Sequence, residues 1–190
     1  MTSGSERKTG GGEPRQIAYG SNYTFSEYLN RFLWWLAQPA FRFSPRLFYF
    51  WRNNLLRLFG ARIGPGVKIY PSARITFPWN LEVGPRSVIA WDVVLYNLGP
   101  IKIGADVIIS QYAHLCAGNH DFRSADFRLL RDPICICDRV WIAADVFIGP
   151  GVTVGSGSVV YARSVVTGDV PERSVYAGHP AKLVSKIDTQ

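Results

Sequence analysis

From Ile63 to Val166 one aliphatic side chain recurs at every sixth position, and no other feature restricts the fold as strongly. The first positions are Ile63, Ile69, Ile75, then Val83, Ile89, Leu95, then Ile103, Ile109, Leu115. After an interruption the series resumes as Ile136, Ile142, Ile148, Val154, Val160 and Val166. Four residues after each lies a second site, and twelve of those fifteen are Ser, Ala or Val. A period of six fits neither the 3.6 of a helix nor the alternation of a pleated strand. It fits a chain wound as a triangular prism, one short strand per face and three hexapeptides per turn, which is a parallel β-helix. The sequence therefore predicts an all-β solenoid of about five coils over residues 61–171.

The irregularities of the repeat are as informative as the repeat. Ile63 to Val83 and Val83 to Ile103 each span twenty residues, where three hexapeptides need eighteen. The surplus falls after the third hexapeptide, where the small-residue rule also fails, at Trp79, Gly99 and Asn119. One edge of the prism should be wider than the others. From Ile103 to Ile136 there are thirty-three residues, and the excess lies in the polar loop 119–133, NHDFRSADFRLLRDP. A solenoid tolerates insertions at its corners, and they tend to mark its binding face.

The flanks read differently. Residues 1–16, with Gly10, Gly11 and Gly12, read as a disordered tail. Residues 17–60 read as helical: from Phe25, FSEYLNRFLWWLAQ sets Phe25, Leu29, Phe32, Leu33 and Leu36 along one stripe. Ser26 and Glu27 suit its start and Pro39 its stop, and a second helix is expected from Pro45 to Phe59. Two uses are open for this pair: covering the exposed edge of the first coil, or presenting Trp, Phe and Arg to a membrane interface. Residues 172–190 should close the solenoid with a last strand and a short basic helical cap.

A net charge of +7 suits an acidic partner, whether nucleic acid, an anionic membrane or a polyphosphate ligand. Nucleic acid is disfavoured, because the arginines are interleaved with aromatics and no binding motif is present. Cys116, Cys135 and Cys137 read as small fillers in a reducing cytosol, since a disulfide between Cys135 and Cys137 would be sterically poor. The first twenty residues have no secretory pattern and no run of eighteen apolar residues occurs, so a cytoplasmic protein is expected, placed at the inner membrane face if the helices bind lipid.

Of the three histidines, His120 stands where the coil gives way to the loop, beside Asn119 and Asp121. An imidazole held there by the coil and open to solvent suits a general base that deprotonates a hydroxyl. His114 reads as structural and His179 as a turn residue. A catalytic zinc needs three protein ligands, and this histidine spacing does not supply them, so no metal is expected.

The motifs RLFGARIG, IYPSARI, YNLGPIKIG, LCAGNHDF, VWIAADVFIGPGVTVG, ARSVVTGDVP and AGHPAK, from about Leu55 to Ile187, resemble the hexapeptide-repeat acyltransferases, and within them the WcaF-type colanic acid biosynthesis acetyltransferases. The resemblance implies a left-handed β-helix, a homotrimer, acetyl-CoA as co-substrate and a hydroxyl of a cell-surface glycan as acceptor. His120 then matches the catalytic base and the Ala144 backbone N–H the oxyanion donor. Trp141, Ala144, Ala162, Thr167 and Lys182 match the CoA groove, and Asn97 and Asp121 the acceptor side, with Asp121 also a candidate for orienting His120. Gly168 stands where many relatives carry Lys. Two rivals are an N-acetyltransferase acting on an amino sugar and a non-catalytic scaffold associated with a membrane.

Overall fold

A computed structural model describes residues 24–124 and 126–188. The tail expected at 1–16, residues 17–23 of the helical region and the last two residues of the C-terminal segment lie outside the described residues.

The repeat folds as its period requires. The first coil carries β1 (Arg62–Ile63), β2 (Lys68–Ile69) and β3 (Arg74–Ile75), and the second β4 (Leu81–Val83), β5 (Val88–Ile89) and β6 (Val94–Tyr96). The third carries β7 (Ile101–Ile103), β8 (Ile108–Ile109) and β9 (His114–Cys116). A hairpin of β10 (Asn119–His120) and β11 (Leu129–Leu130) then leaves the solenoid. The fourth coil holds β12 (Ile134–Ile136), β13 (Trp141–Ile142) and β14 (Phe147–Ile148). The fifth holds β15 (Thr153–Val154), β16 (Val159–Val160) and β17 (Val165–Val166), and β18 (Ser174–Gly178) begins a sixth.

Three parallel sheets result, one per prism face. The first stacks β1-β4-β7-β12-β15, the second runs from β2 to β18, and the third stacks β3-β6-β9-β14-β17. All fifteen aliphatic positions are buried, and so are the twelve Ser, Ala and Val second sites, while Asn119 is exposed. The strands from β1 to β17 are only two or three residues long, and their inward side chains, with the second sites between them, make the core. Stacking, not strand length, stabilises it.

The surplus residues do widen one edge, the one that joins the third sheet to the first. There Pro78–Asn80 forms a 3-10 turn, and Gly99 lies under the returning loop, where a Cβ would come within 2.5 Å of the Arg131 carbonyl oxygen. Only glycine fits that close approach.

The flanks depart from expectation at four points. Helix α1 (Phe25–Arg42) is capped by Thr24, whose hydroxyl accepts from the Glu27 N–H while Glu27 accepts from the Thr24 N–H. It also runs through Pro39 instead of ending there. The continuation buries Phe41, edge-on to Trp34 at 6.0 Å, and such burial is worth about 1.5–3 kcal/mol, comparable to the proline penalty. Helix α2 (Tyr49–Leu58) starts four residues later than predicted. The carbonyls of Pro45 and Arg46, which a longer helix would use, accept instead from the buried Arg52 guanidinium at 2.8 and 2.5 Å. Finally, the C-terminal segment is not a helical cap. Strand β19 (Ala181–Lys186) pairs antiparallel with β18 and covers the edge that β18 would leave open.

The apolar stripe of α1 also points away from the solenoid. Trp34 and Phe41 are its buried residues, whereas Phe25, Leu29, Phe32, Leu33 and Leu36 are between 43% and 84% exposed. Among the described residues no helix is long and apolar enough to cross a membrane.

Candidate active site

At the wide edge the third coil ends in Cys116, and four residues later His120 opens the loop as the second residue of β10. Its backbone is held against Leu129 of β11, and its ring is exposed. The imidazole Nδ1 lies 2.9 Å from the carbonyl oxygen of Phe127, and the Phe127 ring stacks on it at 4.7 Å and 14°. A carbonyl oxygen only accepts, so Nδ1 carries the proton and Nε2 of the neutral ring keeps its lone pair. Phe127 reaches this position with φ of 48°, in the left-handed region.

Asp121 stands next to His120 in sequence but serves the loop. Its carboxylate accepts from the N–H groups of Arg123 and Ser124 at 3.1 and 3.2 Å and pairs with Arg128 at 3.4 Å. The group that orients His120 is the Phe127 main chain. Sequence reasoning missed it because a carbonyl oxygen has no residue signature. Equally unforeseen was Arg131, which pairs with Glu27 at 2.9 Å and ties the end of the loop to the first turn of α1.

Asn97 is fully buried. Its Oδ1 accepts from the N–H groups of Thr76 and Phe77 at 3.1 and 2.9 Å, and its Nδ2 donates to the Phe77 carbonyl at 2.5 Å. Its amide is thus used in holding the wide edge together between two coils, and it presents no group to an acceptor.

A second constellation forms around another edge, between the second and third sheets. Trp141 is exposed on β13 and donates its indole N–H to Ser110 Oγ at 3.0 Å. Ala144 turns the same coil, and its carbonyl accepts from the Arg163 N–H at 3.0 Å, which sets exposed Ala162 directly above. Among the described residues, no acceptor takes the Ala144 N–H. Lys182 lies exposed on β19 opposite Ala177, and the Gly178 N–H donates to Ser164 Oγ at 3.2 Å, docking this hairpin on the same corner. Thr167 follows β17 and stands with His120 on the wide edge. Within one chain, then, His120 and Ala144 occupy different edges with the third sheet between them.

His114 faces outward from β9, edge-on to Phe147 at 5.5 Å. Its Nε2 is buried without a hydrogen-bond partner among the described residues, and desolvation holds its pKa below the usual histidine value. Burial, with Cys137 beside it, pushes the Cys135 thiol up and away from the thiolate that a covalent route would use. No group of three or more His, Cys, Asp or Glu among the described residues is placed to hold a metal ion.

The chain is 47% identical over 160 residues to WcaF of Escherichia coli, a protein named for acetyl transfer in colanic acid biosynthesis; the match covers 83% of this chain and 88% of that protein. A hexapeptide-repeat acetyltransferase of Vibrio cholerae, solved with acetyl-CoA, superposes with a TM-score of 0.80 at 27% identity, covering 91% of this chain and 95% of that one. This chain belongs to the hexapeptide-repeat acetyltransferases. A galactoside acetyltransferase solved with coenzyme A agrees, with a TM-score of 0.81 at 25% identity over 88% of this chain and 86% of that one. No family model matches the chain. At Gly168 of this hexapeptide-repeat acetyltransferase an added Cβ would meet nothing within 4 Å. Space for a longer side chain is therefore present there.

Proposed function

We propose that this chain is an O-acetyltransferase that moves the acetyl group of acetyl-CoA to a sugar hydroxyl in the biosynthesis of an exopolysaccharide or other cell-surface glycan. The observation that carries the reading is the bond from His120 Nδ1 to the Phe127 carbonyl, because it leaves Nε2 as a base open to solvent. The acceptor hydroxyl gives its proton to Nε2 as its oxygen attacks the thioester carbon. The Ala144 N–H, with no acceptor among the described residues, suits the oxyanion that develops. When the tetrahedral centre collapses, the C–S bond breaks and the imidazolium returns the proton to the CoA thiolate. Transfer is direct, in a ternary complex, with no acyl-enzyme.

Trp141, Ala144, Ala162, Thr167 and Lys182 are the residues we assign to CoA, Lys182 serving a phosphate as a point charge. The separation of His120 from Ala144 supports a homotrimer, in which the wide edge of one subunit meets the Ala144 corner of the next and completes the site. Acetyl-CoA and a sugar acceptor are present in the cytoplasm, which is the compartment we assign. The outward apolar stripe of α1, a helix whose last turn carries Arg42, supports peripheral attachment at the inner membrane face.

The test is an acceptor panel of neutral, acidic and amino sugars incubated with acetyl-CoA and read by mass spectrometry. Acetylation on oxygen is the expected outcome. Acetylation confined to nitrogen, or none on any acceptor, contradicts the reading.

A further inference from the structure

Helix α1 carries its polarity the opposite way from a helix that merely covers a coil. Its outward stripe is apolar, whereas the side turned to the first coil carries Arg31 and Gln38 with the buried Trp34 and Phe41. These residues, together with Arg42 at the last turn of α1 and Arg74 on β3, wall a cavity of about 360 Å³. Arg42 and Arg74 both line this concavity, and among the described residues no carboxylate lines it. Gathering like charges this way is unfavourable by itself and becomes favourable when an anion is shared between them. Among the described residues, no ion pair involves Arg42 or Arg74.

The cavity is rigidly built. Trp34 donates its indole N–H to the Ile75 carbonyl at 2.9 Å, which fixes α1 against β3. The Arg31 guanidinium lies over the Phe77 ring at 5.4 Å. The cavity also shares the face that leads to His120. Ile75, Leu95 and Leu115 stack in register, as do Tyr96 and Cys116. Two strand spacings, about 10 Å, therefore separate the β3 end of the cavity from the strand that runs into His120. One or two sugar rings, or a sugar diphosphate, would span that distance. The Arg131–Glu27 pair joins α1 to the same loop.

We propose that this cavity is an oxyanion subsite, holding a phosphate, diphosphate or carboxylate carried by the acceptor whose hydroxyl reaches His120. The proposal rests on the acetyl-transfer reading only in naming the anion as part of the acceptor. Anion binding itself can be tested without catalysis.

The experiment measures binding of pyrophosphate and of glucuronate to the full-length protein by calorimetry. The variants are Arg42→Gln and Arg74→Gln, both at exposed positions, with His120→Ala as control and unfolding midpoints to verify folding. Wild type should bind one of the two anions, tighter binding of pyrophosphate assigning a phosphate and of glucuronate a carboxylate. Each Arg variant should weaken that binding about tenfold or more, as expected on loss of a charge-assisted hydrogen bond, and raise KM for an acceptor of the same charge while kcat holds. The His120→Ala protein should bind the anion as wild type does and lose turnover, which separates this proposal from the catalytic one. Failure of wild type to bind either anion, or equal binding by wild type and Arg74→Gln, overturns the proposal.

Discussion

His120 and Phe127 form the central relationship of the loop: one main-chain oxygen, 2.9 Å from Nδ1, fixes which imidazole nitrogen is free, while the stacked ring fixes its plane. Phe127→Gly would accept the φ of 48° but remove the stacking partner. A catalytic group displaced by about 1 Å can lose up to about a hundredfold in rate. The expected kcat lies between those of wild type and His120→Ala, with KM for acetyl-CoA unchanged in steady-state kinetics.

Asn97 makes a contrasting prediction. Replacement by Ala leaves the N–H groups of Thr76 and Phe77 and the carbonyl of Phe77 without their buried partner. Each such group costs about 1–3 kcal/mol. Chemical denaturation should show a large loss of stability, and the protein that remains folded should keep its KM for acceptor. A normal midpoint with a raised acceptor KM would contradict the structural role.

At Gly168 the prediction is a gain. Added side-chain atoms meet open space there, so Gly168→Lys should fold normally and add a cation beside Thr167, one of the residues assigned to CoA. An exposed charge pair is worth about 0.2–1 kcal/mol, so CoA should bind up to about fivefold more tightly in calorimetry, with the gain fading at high salt.

His114 provides a pH test. Burial lowers its pKa in the folded protein, so the unfolded chain binds more protons as pH falls through the ordinary histidine range. Stability is then complete above about pH 6.5 and declines below it. In His114→Phe, which keeps the contact with Phe147, the fall in melting temperature between pH 7 and pH 5 should be smaller than in wild type.

Most of the solenoid was legible because its core is one-dimensional. Ile63, Ile69 and their successors each fill one face of one coil, so periodicity in sequence becomes position in space. The wide edge and His120 were legible as the places where that periodicity breaks. The two helices were legible as helices but their orientation was not, since whether Phe25, Leu29 and Leu36 face the solenoid depends on where Trp34 and Phe41 dock, which no local pattern encodes. The same holds for Ala181–Lys186, whose strand form follows from the β18 edge beside it. Asn97 was misread because an asparagine that ties two backbones together looks, in sequence, like one that binds a sugar.

The most direct test of the account is the initial rate of CoA release from acetyl-CoA, with a sugar acceptor identified from the panel, for wild type and His120→Ala. A lost general base costs about 10²–10⁴-fold, and the exposed ring should leave folding and CoA affinity unaltered. A fall in kcat of that size with unchanged acetyl-CoA binding is the predicted result, and undiminished turnover by His120→Ala would contradict it.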